Sequence, residues 1–244
     1  MSFENIMATK MQQAIGWIKA IRPKFLVSYV VLGIGGIIIG INHSGNKIDI
    51  FYLILSFITI ITAGISVHYR DEAADWLAGY DLESGGVGVI REGILKVKHL
   101  QIVGRILTVI ALGFGIFQIF FVWELIYIFI PLVPIIVFSN YVSEKIPLGH
   151  EISPAFAYSM ALLWVFLGQG WNFTISTFFF VIFAFLFVFA LVPYQDVGDY
   201  EVDLKSGKKT LTVKLGIDAV GQVCIIIAVL SLIFLYLAIF TLSS

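Results

Sequence analysis

Charged residues are scarce in this sequence. They make up 13% of its 244 residues, whereas 59% are hydrophobic and 22 are phenylalanine. One water-soluble core cannot hide that much apolar surface, because too few polar side chains remain to cover it. The composition therefore excludes an ordinary soluble globular protein and indicates a protein that lies in lipid.

Cysteine and net charge are also nearly absent. Cys224 is the only cysteine, which excludes a disulfide within the chain, and it lies in an apolar run where packing accounts for it. The formal net charge is −1, so the composition indicates no basic surface for nucleic acid. We therefore expect no nucleic-acid partner.

Long apolar runs fill most of the chain. A helix rises about 1.5 Å per residue and needs about 20 apolar residues to cross about 30 Å of hydrocarbon. Only Glu124 interrupts residues 106–143, and no charged residue lies between Ile152 and Gln195, so each stretch must form a helical hairpin. We predict an all-α, multi-pass transmembrane bundle of about seven helices, near residues 25–41, 50–67, 102–121, 125–142, 153–168, 174–194 and 219–242.

The N-terminal segment has a different pattern. Ile15, Ile18 and Ile21 recur at helical spacing with polar residues between them, and the first twenty residues lack the continuous apolar core of a signal peptide. This pattern favours an interfacial helix over residues 1–21, with a frayed tail as the alternative. We assign residues 1–244 to one domain.

Basic residues lie almost entirely on one side of the predicted bundle. If the N-terminus is cytoplasmic, Lys47 alone among the 15 Lys and Arg residues falls on the outside. Cytoplasmic loops of membrane proteins carry an excess of Lys and Arg. We therefore expect a cell-membrane protein with a cytoplasmic N-terminus.

Acidic residues form two clusters on the same predicted face, one after the second span and one after the sixth. Each cluster contains two aspartates four residues apart, which point in one direction on a helix and repel unless a cation lies between them. Mg²⁺ in proteins usually takes one or two carboxylates and completes its shell with water and substrate phosphates. Ordinary solvated loop acids are the alternative, but the repetition on two helix ends favours a site for a metal-bound diphosphate. The first cluster contains Asp71, Glu72, Asp75, Asp81 and Glu83, and the second contains Asp196, Asp199, Glu201 and Asp203.

The first acidic segment, His68 to Asp81, reads His-x-x-Asp-Glu-x-x-Asp-x-x-x-Gly-x-Asp and is followed by GGVGVIREG. It resembles the first aspartate-rich motif of the UbiA superfamily of intramembrane prenyltransferases. Its Gly-x-Asp ending and glycine-rich run resemble most closely the menaquinone-pathway branch, whose members are dihydroxynaphthoate prenyltransferase-like.

The second acidic segment, YQDVGDYEVDLKSGKKTLTVKLG at residues 194–216, is similar to the second motif of that superfamily. There an Asp-x-x-x-Asp pair precedes Gly-Lys-(Lys or Arg)-Thr-Leu. RPKF at 22–25 and YVSEKIPLGHE at 141–151 resemble further segments, so nearly the whole chain aligns in order. Asp71 and Glu72 depart from the usual Asn and Asp, Gly198 stands where Arg is frequent, and seven predicted helices replace the usual nine.

The resemblance implies that one UbiA-like domain transfers a prenyl group from a prenyl diphosphate to an acceptor, with Mg²⁺ as cofactor. Asp75, Asp199 and Asp203 are the expected catalytic acids, and they hold the metal together with Asp71, Glu72 and Asp196. The residues expected to contact the diphosphate are Arg22, Arg91, Lys145, Lys208 and Lys209. His68 is the candidate base for the acceptor proton, with a polar interface residue as the alternative.

The nearest branch implies a lipophilic, aromatic acceptor that resembles a naphthoate or quinone precursor. Prenyl transfer to a glycerol-phosphate lipid precursor is the alternative within the class. A cation transporter is the alternative from another class, but the acids cluster at helix ends on one side and leave the middle of the membrane almost free of charge. The expected active site faces the cytoplasm.

Overall fold

The computed structural model describes residues 9–44, 47–80, 82 and 86–242. These residues form helices, and no strand occurs within them. Short 3₁₀ turns occur at Trp123–Leu125 and Val197–Asp199. The helices are α1 (Lys10–Ala20), α2 (Pro23–Ser44), α3 (Ile50–Ala78), α4 (Val97–Ile119), α5 (Ile126–Lys145), α6 (Gly149–Leu167), α7 (Ile175–Asp196), α8 (Tyr200–Ser206), α9 (Leu211–Leu215) and α10 (Ile217–Leu242).

Six of these helices are long and apolar enough to cross a membrane, namely α2, α3, α4, α5, α7 and α10. The remaining predicted span, 153–168, corresponds to α6, whose polar first turn contains His150 and Glu151. With 19 residues, α6 is about 28 Å long at 1.5 Å per residue. The predicted multi-pass, all-α bundle is confirmed.

Helix α6 runs through the interior of the bundle, where it packs against α2, α5 and α7. Its residues Leu162, Trp164 and Phe166 are fully or almost fully buried. The indole Nε1 of Trp164 donates to Gln118 at 2.9 Å, and the Gln118 amide donates to Ser56 Oγ at 2.6 Å, so this buried polar group is satisfied. The apolar side chains of α10, by contrast, are largely exposed, as a lipid-facing helix requires.

Both acidic segments continue the helices that precede them. Helix α3 extends past its predicted span to Ala78 and ends where Gly79 adopts φ +85°, a left-handed conformation that glycine accepts without a Cβ clash. Helix α8 ends in the same way at Gly207, with φ +74°. Helical backbone, rather than a free loop, therefore holds Asp71, Glu72, Asp75, Asp196, Asp199 and Asp203.

Helix α1 lies against α3 at the end of the bundle that carries the acids. The rings of Trp17 and Tyr69 are 5.1 Å apart, and the Tyr69 hydroxyl donates to the Trp17 carbonyl at 3.2 Å. A capping box at Thr9 begins the helix, and Ile15 and Ile18 remain exposed. Part of the predicted segment 1–21 is therefore helical; residues 1–8 lie outside the described residues, and its place at the membrane interface stays a prediction.

Candidate active site

The ends of five long helices surround a polar cavity of about 720 Å³ at the end of the bundle that carries both acidic segments. Acidic and basic side chains from α3, α7, α8 and the loops beside them meet there. The residues that line it are Lys19, Arg22, Pro23, Lys24, Phe25, Asp71, Asp75, Gly86, Val87, Asn140, Ser143, Glu144, His150, Gln195, Asp196, Asp199, Asp203 and Lys208. Helices separated by more than a hundred residues thus bring the two predicted motifs to one site.

Five of the six predicted metal-binding acids line this cavity: Asp71, Asp75, Asp196, Asp199 and Asp203. The first two lie one helical turn apart on α3, and the last two lie at the start and within the first turn of α8. The spacing argument therefore holds for both pairs. Asp81, which the first motif also contains, lies outside the described residues.

Lysine and histidine neutralise part of this acidic wall. Lys208 Nζ lies 3.6 Å from Asp75 Oδ2, so a basic residue of the second segment contacts the first segment directly. His150 Nε2 lies 3.3 Å from Oδ2 and 3.5 Å from Oδ1 of Asp196. Burial alone would lower the pKa of His150, but the hydrogen bond and charge of Asp196 raise it above its ordinary value.

The acids fit a magnesium ion that shares its shell with a substrate. Among the described residues, no three His, Cys, Asp or Glu side chains converge closely enough to hold a metal ion by themselves. Asp196 Oδ2 is buried, and although His150 Nε2 lies 3.3 Å away, no described residue donates a well-aligned hydrogen bond to it. Carboxylates spread around a cavity suit Mg²⁺, because this ion keeps several waters and binds substrate phosphates together with one or two carboxylates.

Glu72 does not reach the cavity, and its expected role as a metal ligand is not supported by its position. Its carboxylate is buried and accepts from Arg22 Nη2 at 3.2 Å and from the Val87 N–H at 3.3 Å. Adjacent helix residues point about 100° apart at 3.6 residues per turn, so Glu72 cannot share the direction of Asp71. Glu72 instead ties α3 to the loops on either side of the cavity.

The predicted diphosphate contacts are distributed unevenly. Arg22 and Lys208 line the main cavity, whereas Lys145 and Lys209 line an adjoining cavity of about 120 Å³ that shares Asp75, Ser143, His150 and Lys208 with it. Arg91 does not line either of these two cavities. The sequence argument missed Lys19, Lys24, Asn140, Ser143 and Gln195, although the last three end apolar runs at the same face as the acids.

Arg22 is held in an unusual backbone conformation. Its φ is +53°, a left-handed value that costs free energy for a residue with a Cβ and persists only where the surroundings impose it. Its Nε is buried without a hydrogen bond from the described residues. Burial would lower the pKa of Arg22, but Glu72, Asp71 and Asp75 raise it, so the guanidinium stays charged.

A second, mainly apolar cavity of about 310 Å³ continues from the polar one into the bundle between α2, α3, α5, α6 and α7. The two share Arg22, Phe25, Asp71, His150 and Asp196, among others. Deeper residues include Ile60, Ala161 and Val188, together with Tyr29 and Tyr158, whose rings stack 4.0 Å apart. A charged head can thus occupy one cavity while an attached hydrocarbon lies in the other.

His68 lines the apolar cavity close to this junction. Its ring centroid is 5.4 Å from that of Phe25, and its Nε2 is buried with no hydrogen bond from the described residues. A buried polar nitrogen without a partner is uncommon and marks a position where a ligand can supply one. The structure therefore places His68, the expected base, in the lining of the apolar cavity.

No protein-family model and no curated protein matches the sequence. Solved structures do match. A UbiA homolog from Archaeoglobus fulgidus bound to GPP and Mg²⁺ is 15% identical, with a TM-score of 0.71 over 93% of this chain and 78% of the other. A UbiA homolog from the same organism bound to DMAPP and Mg²⁺ gives 14% identity, a TM-score of 0.69, and coverage of 92% and 78%.

A structure of digeranylgeranylglyceryl phosphate synthase is 18% identical, with a TM-score of 0.58 over 95% of this chain and 88% of the other. Identities this low establish a shared architecture and nothing finer. The chain has the fold of UbiA homologs, and the two segments that resemble UbiA motifs face each other across one cavity of that fold.

Proposed function

We propose that this protein transfers a prenyl group from a prenyl diphosphate to an aromatic acceptor in the membrane, with Mg²⁺ as cofactor. The observation that carries the proposal is the direct continuation of an acid-lined polar cavity into an apolar one. A prenyl diphosphate has the same two-part character, with a charged head and a hydrocarbon tail. The UbiA homolog from Archaeoglobus fulgidus, which shares the fold, is bound to GPP and Mg²⁺.

Asp75, Asp199 and Asp203 are assigned the metal, with Asp71 and Asp196 beside them on the same cavity wall. Mg²⁺ held by these carboxylates supplies positive charge to the diphosphate as its negative charge grows. In the proposed reaction the C–O bond of the donor breaks, and the electron pair leaves with the diphosphate. An acceptor ring carbon then bonds to the prenyl carbocation and loses its proton.

Lys208 and Arg22 are assigned the diphosphate oxygens, because both line the cavity and each forms an ion pair with an acid of the first segment. Lys145 and Lys209 are assigned to its outer edge, in the adjoining cavity. Arg91 has no place in the proposal, since it lines neither cavity.

His68 is assigned the acceptor proton. Its buried Nε2 faces the apolar cavity next to Phe25 and below the acids, where an aromatic acceptor can lie against the reacting carbon. A glycerol-phosphate acceptor would place a second anion near the same cations, which the likeness to digeranylgeranylglyceryl phosphate synthase makes the alternative to test. We place the cavity on the cytoplasmic side, following the distribution of the basic residues.

The proposal is tested with purified protein, Mg²⁺, prenyl diphosphates of several lengths, and radiolabelled dihydroxynaphthoate or glycerol phosphate as acceptors. We expect Mg²⁺-dependent prenylation of the aromatic acceptor, abolished by EDTA and restored by added Mg²⁺. If product forms with glycerol phosphate and not with dihydroxynaphthoate, the acceptor is a glycerol phosphate rather than an aromatic compound. Cation flux into liposomes, without transfer to any acceptor, would replace the enzyme by a transporter.

A further inference from the structure

Arg70 carries a positive charge on α3, next to Asp71, yet it lines none of the three cavities described above. Its guanidinium turns towards α5 instead. Nη1 donates to the carbonyl of Val137 at 2.8 Å, and Nη2 donates to the carbonyl of Ile136. A guanidinium cation is thus used to bind two backbone carbonyls of a neighbouring membrane helix.

Those carbonyls precede a break in α5. Phe138 has φ −116° and ψ 28°, outside the helical region, and α5 also contains Pro131 and Pro134, which lack an N–H to donate. A break in a helix moves the carbonyls before it away from the N–H groups four residues ahead that normally donate to them. A carbonyl without a hydrogen-bond donor is costly in hydrocarbon. Arg70 supplies donors to the carbonyls of Ile136 and Val137, so it stabilises the broken conformation.

The residues after the break belong to the site. Ser139 lines the apolar cavity, Asn140 lines the polar cavity, and Ser143 lines both. Ser139 Oγ lies 3.4 Å from Asp71 Oδ1 and donates to Asn140 Oδ1 at 2.9 Å. Asn140 Nδ2 donates in turn to the Arg70 carbonyl at 3.4 Å. The break therefore directs the polar residues Ser139, Asn140 and Ser143 of α5 towards the site. Arg70 contacts α5 on both sides of the break, because its guanidinium binds the carbonyls before it and its own carbonyl accepts from Asn140 after it.

Helix α4 provides the space for this arrangement. A Cβ placed on Gly104 would lie 2.7 Å from Cγ of Arg70 and 3.2 Å from the Ser66 carbonyl, both closer than a methyl group tolerates. Only a glycine lets the stem of Arg70 pass between α3 and α4 on its way to α5. The neighbouring Arg105, by contrast, is exposed.

We propose that Arg70 is a positioning residue for the site. It fixes the break in α5 and thereby the direction of Ser139, Asn140 and Ser143 and the orientation of the Asp71 carboxylate. This role rests on the proposed prenyl transfer, because it is measured as turnover. Among the described residues, Arg70 forms no hydrogen bond or ion pair with Asp75, Asp199 or Asp203, so binding of the donor diphosphate should depend on Arg70 less than turnover does.

The experiment compares Arg70→Met, Arg70→Lys and the control Arg105→Met, which removes an exposed positive charge from the adjacent helix. For Arg70→Met we expect kcat to fall at least about tenfold, while Mg²⁺-dependent binding of geranyl diphosphate stays within about threefold of wild type. Arg70→Lys should recover part of kcat, since an ammonium reaches one carbonyl but cannot fork between two. Arg105→Met should resemble wild type. Full turnover by Arg70→Met, or an equal loss in Arg105→Met, would overturn the role.

Two further measurements cover the other outcomes. If Arg70→Met does not fold, Gly104→Ala displaces the Arg70 stem while leaving its charge, and an unchanged kcat in that variant contradicts the proposal. If the wild type itself transfers no prenyl group, the prenyltransferase assignment fails, and the contact between Arg70 and α5 is tested without turnover. The distance between spin labels at Glu144 and Lys205 is then measured. A broader distance distribution in Arg70→Met than in wild type supports the positioning role of Arg70, and an identical distribution contradicts it.

Discussion

At the scale of single residues, neighbouring acids in the first motif have different tasks. Asp71 lines both cavities, whereas the next residue, Glu72, turns away and pairs with Arg22. The reason is the rotation of about 100° between successive helix positions, which lets only residues one turn apart share a face. Residue identity alone does not separate a candidate metal ligand from a structural acid here. The position of each acid around the axis of α3 does.

Asp75 and Asp199 are two of the three acids that are assigned the metal in the proposal. Asn at either position keeps the volume but removes a charge opposite the metal, so we expect turnover to fall about 10²- to 10³-fold, or about 2.7–4 kcal/mol in the barrier. Folding should change little, because Asp75 forms only a partly exposed ion pair with Lys208. Glu201→Gln, an exposed acid on α8 away from the cavity, is the control. Wild-type transfer by both Asn variants would contradict the metal assignment.

Glu72→Gln should act in the opposite way. The amide retains an acceptor for the Val87 N–H but leaves the Arg22 guanidinium without its buried counter-charge. We expect a loss of about 1–3 kcal/mol in the stability of the fold, seen as a lower melting temperature in detergent micelles, and weaker donor binding through the displaced Arg22. The Mg²⁺ dependence should not change. An unchanged melting temperature with a raised Mg²⁺ requirement would return Glu72 to the set of metal ligands.

At the scale of helices, the site depends on how closely α2 approaches α6. A Cβ on Gly36 of α2 would lie 2.9 Å from the carbonyl oxygen of Leu162, so glycine permits backbone contact of the kind found between membrane helices. Arg22 and Phe25 at the start of α2 face His150 at the start of α6 across the cavity. The spacing of these two helices therefore sets the width of the site.

Gly36→Ala should separate α2 from α6. Overpacking against a backbone atom typically costs about 1–3 kcal/mol, so we expect a lower melting temperature and a weaker affinity for the donor. Gly113→Ala on α4 is the matched control, because nothing lies within 4 Å of a Cβ there. Its melting temperature should equal or exceed that of wild type, since Ala favours helix over Gly. Equal effects of the two substitutions would show that the α2–α6 contact is not tight.

At the scale of the whole molecule, the predicted orientation has a direct test. Lys47 precedes α3 at one end of the bundle, and Lys205 lies on α8 beside the acids at the other; both are exposed. In a background where buried Cys224 is replaced by Ala, Lys47→Cys should react with an impermeant maleimide from outside intact cells. Lys205→Cys should react only after the membrane is permeabilised. Labelling of both from outside would contradict the orientation, and the reverse pattern would invert it.

Much of this architecture could be predicted from the sequence, because apolar length and acid spacing are local signals. Helical periodicity alone was enough to predict that Asp71 and Asp75 share a direction, and that Asp199 and Asp203 do so too. The roles of Arg22, Arg70 and Glu72 could not be predicted in that way, since their partners are set by tertiary contacts with Glu72, α5 and Val87. The sequence of α6 is a weak signal for a membrane span because its first turn is polar, although α6 has more buried residues than the other described helices.

The junction between the two cavities, at Phe25, Asp71 and His150, also determines where the products of the proposed reaction go. Cleavage of the C–O bond at this junction would separate the polar head of the prenyl diphosphate from its hydrocarbon tail. The diphosphate fragment is left in the polar cavity, and the prenylated acceptor is left in the apolar one. The two products differ in solubility, so one leaves into water and the other into the membrane, and the reverse reaction requires both to return to this junction at the same time. Partitioning of the products between water and lipid would in this way favour the forward reaction.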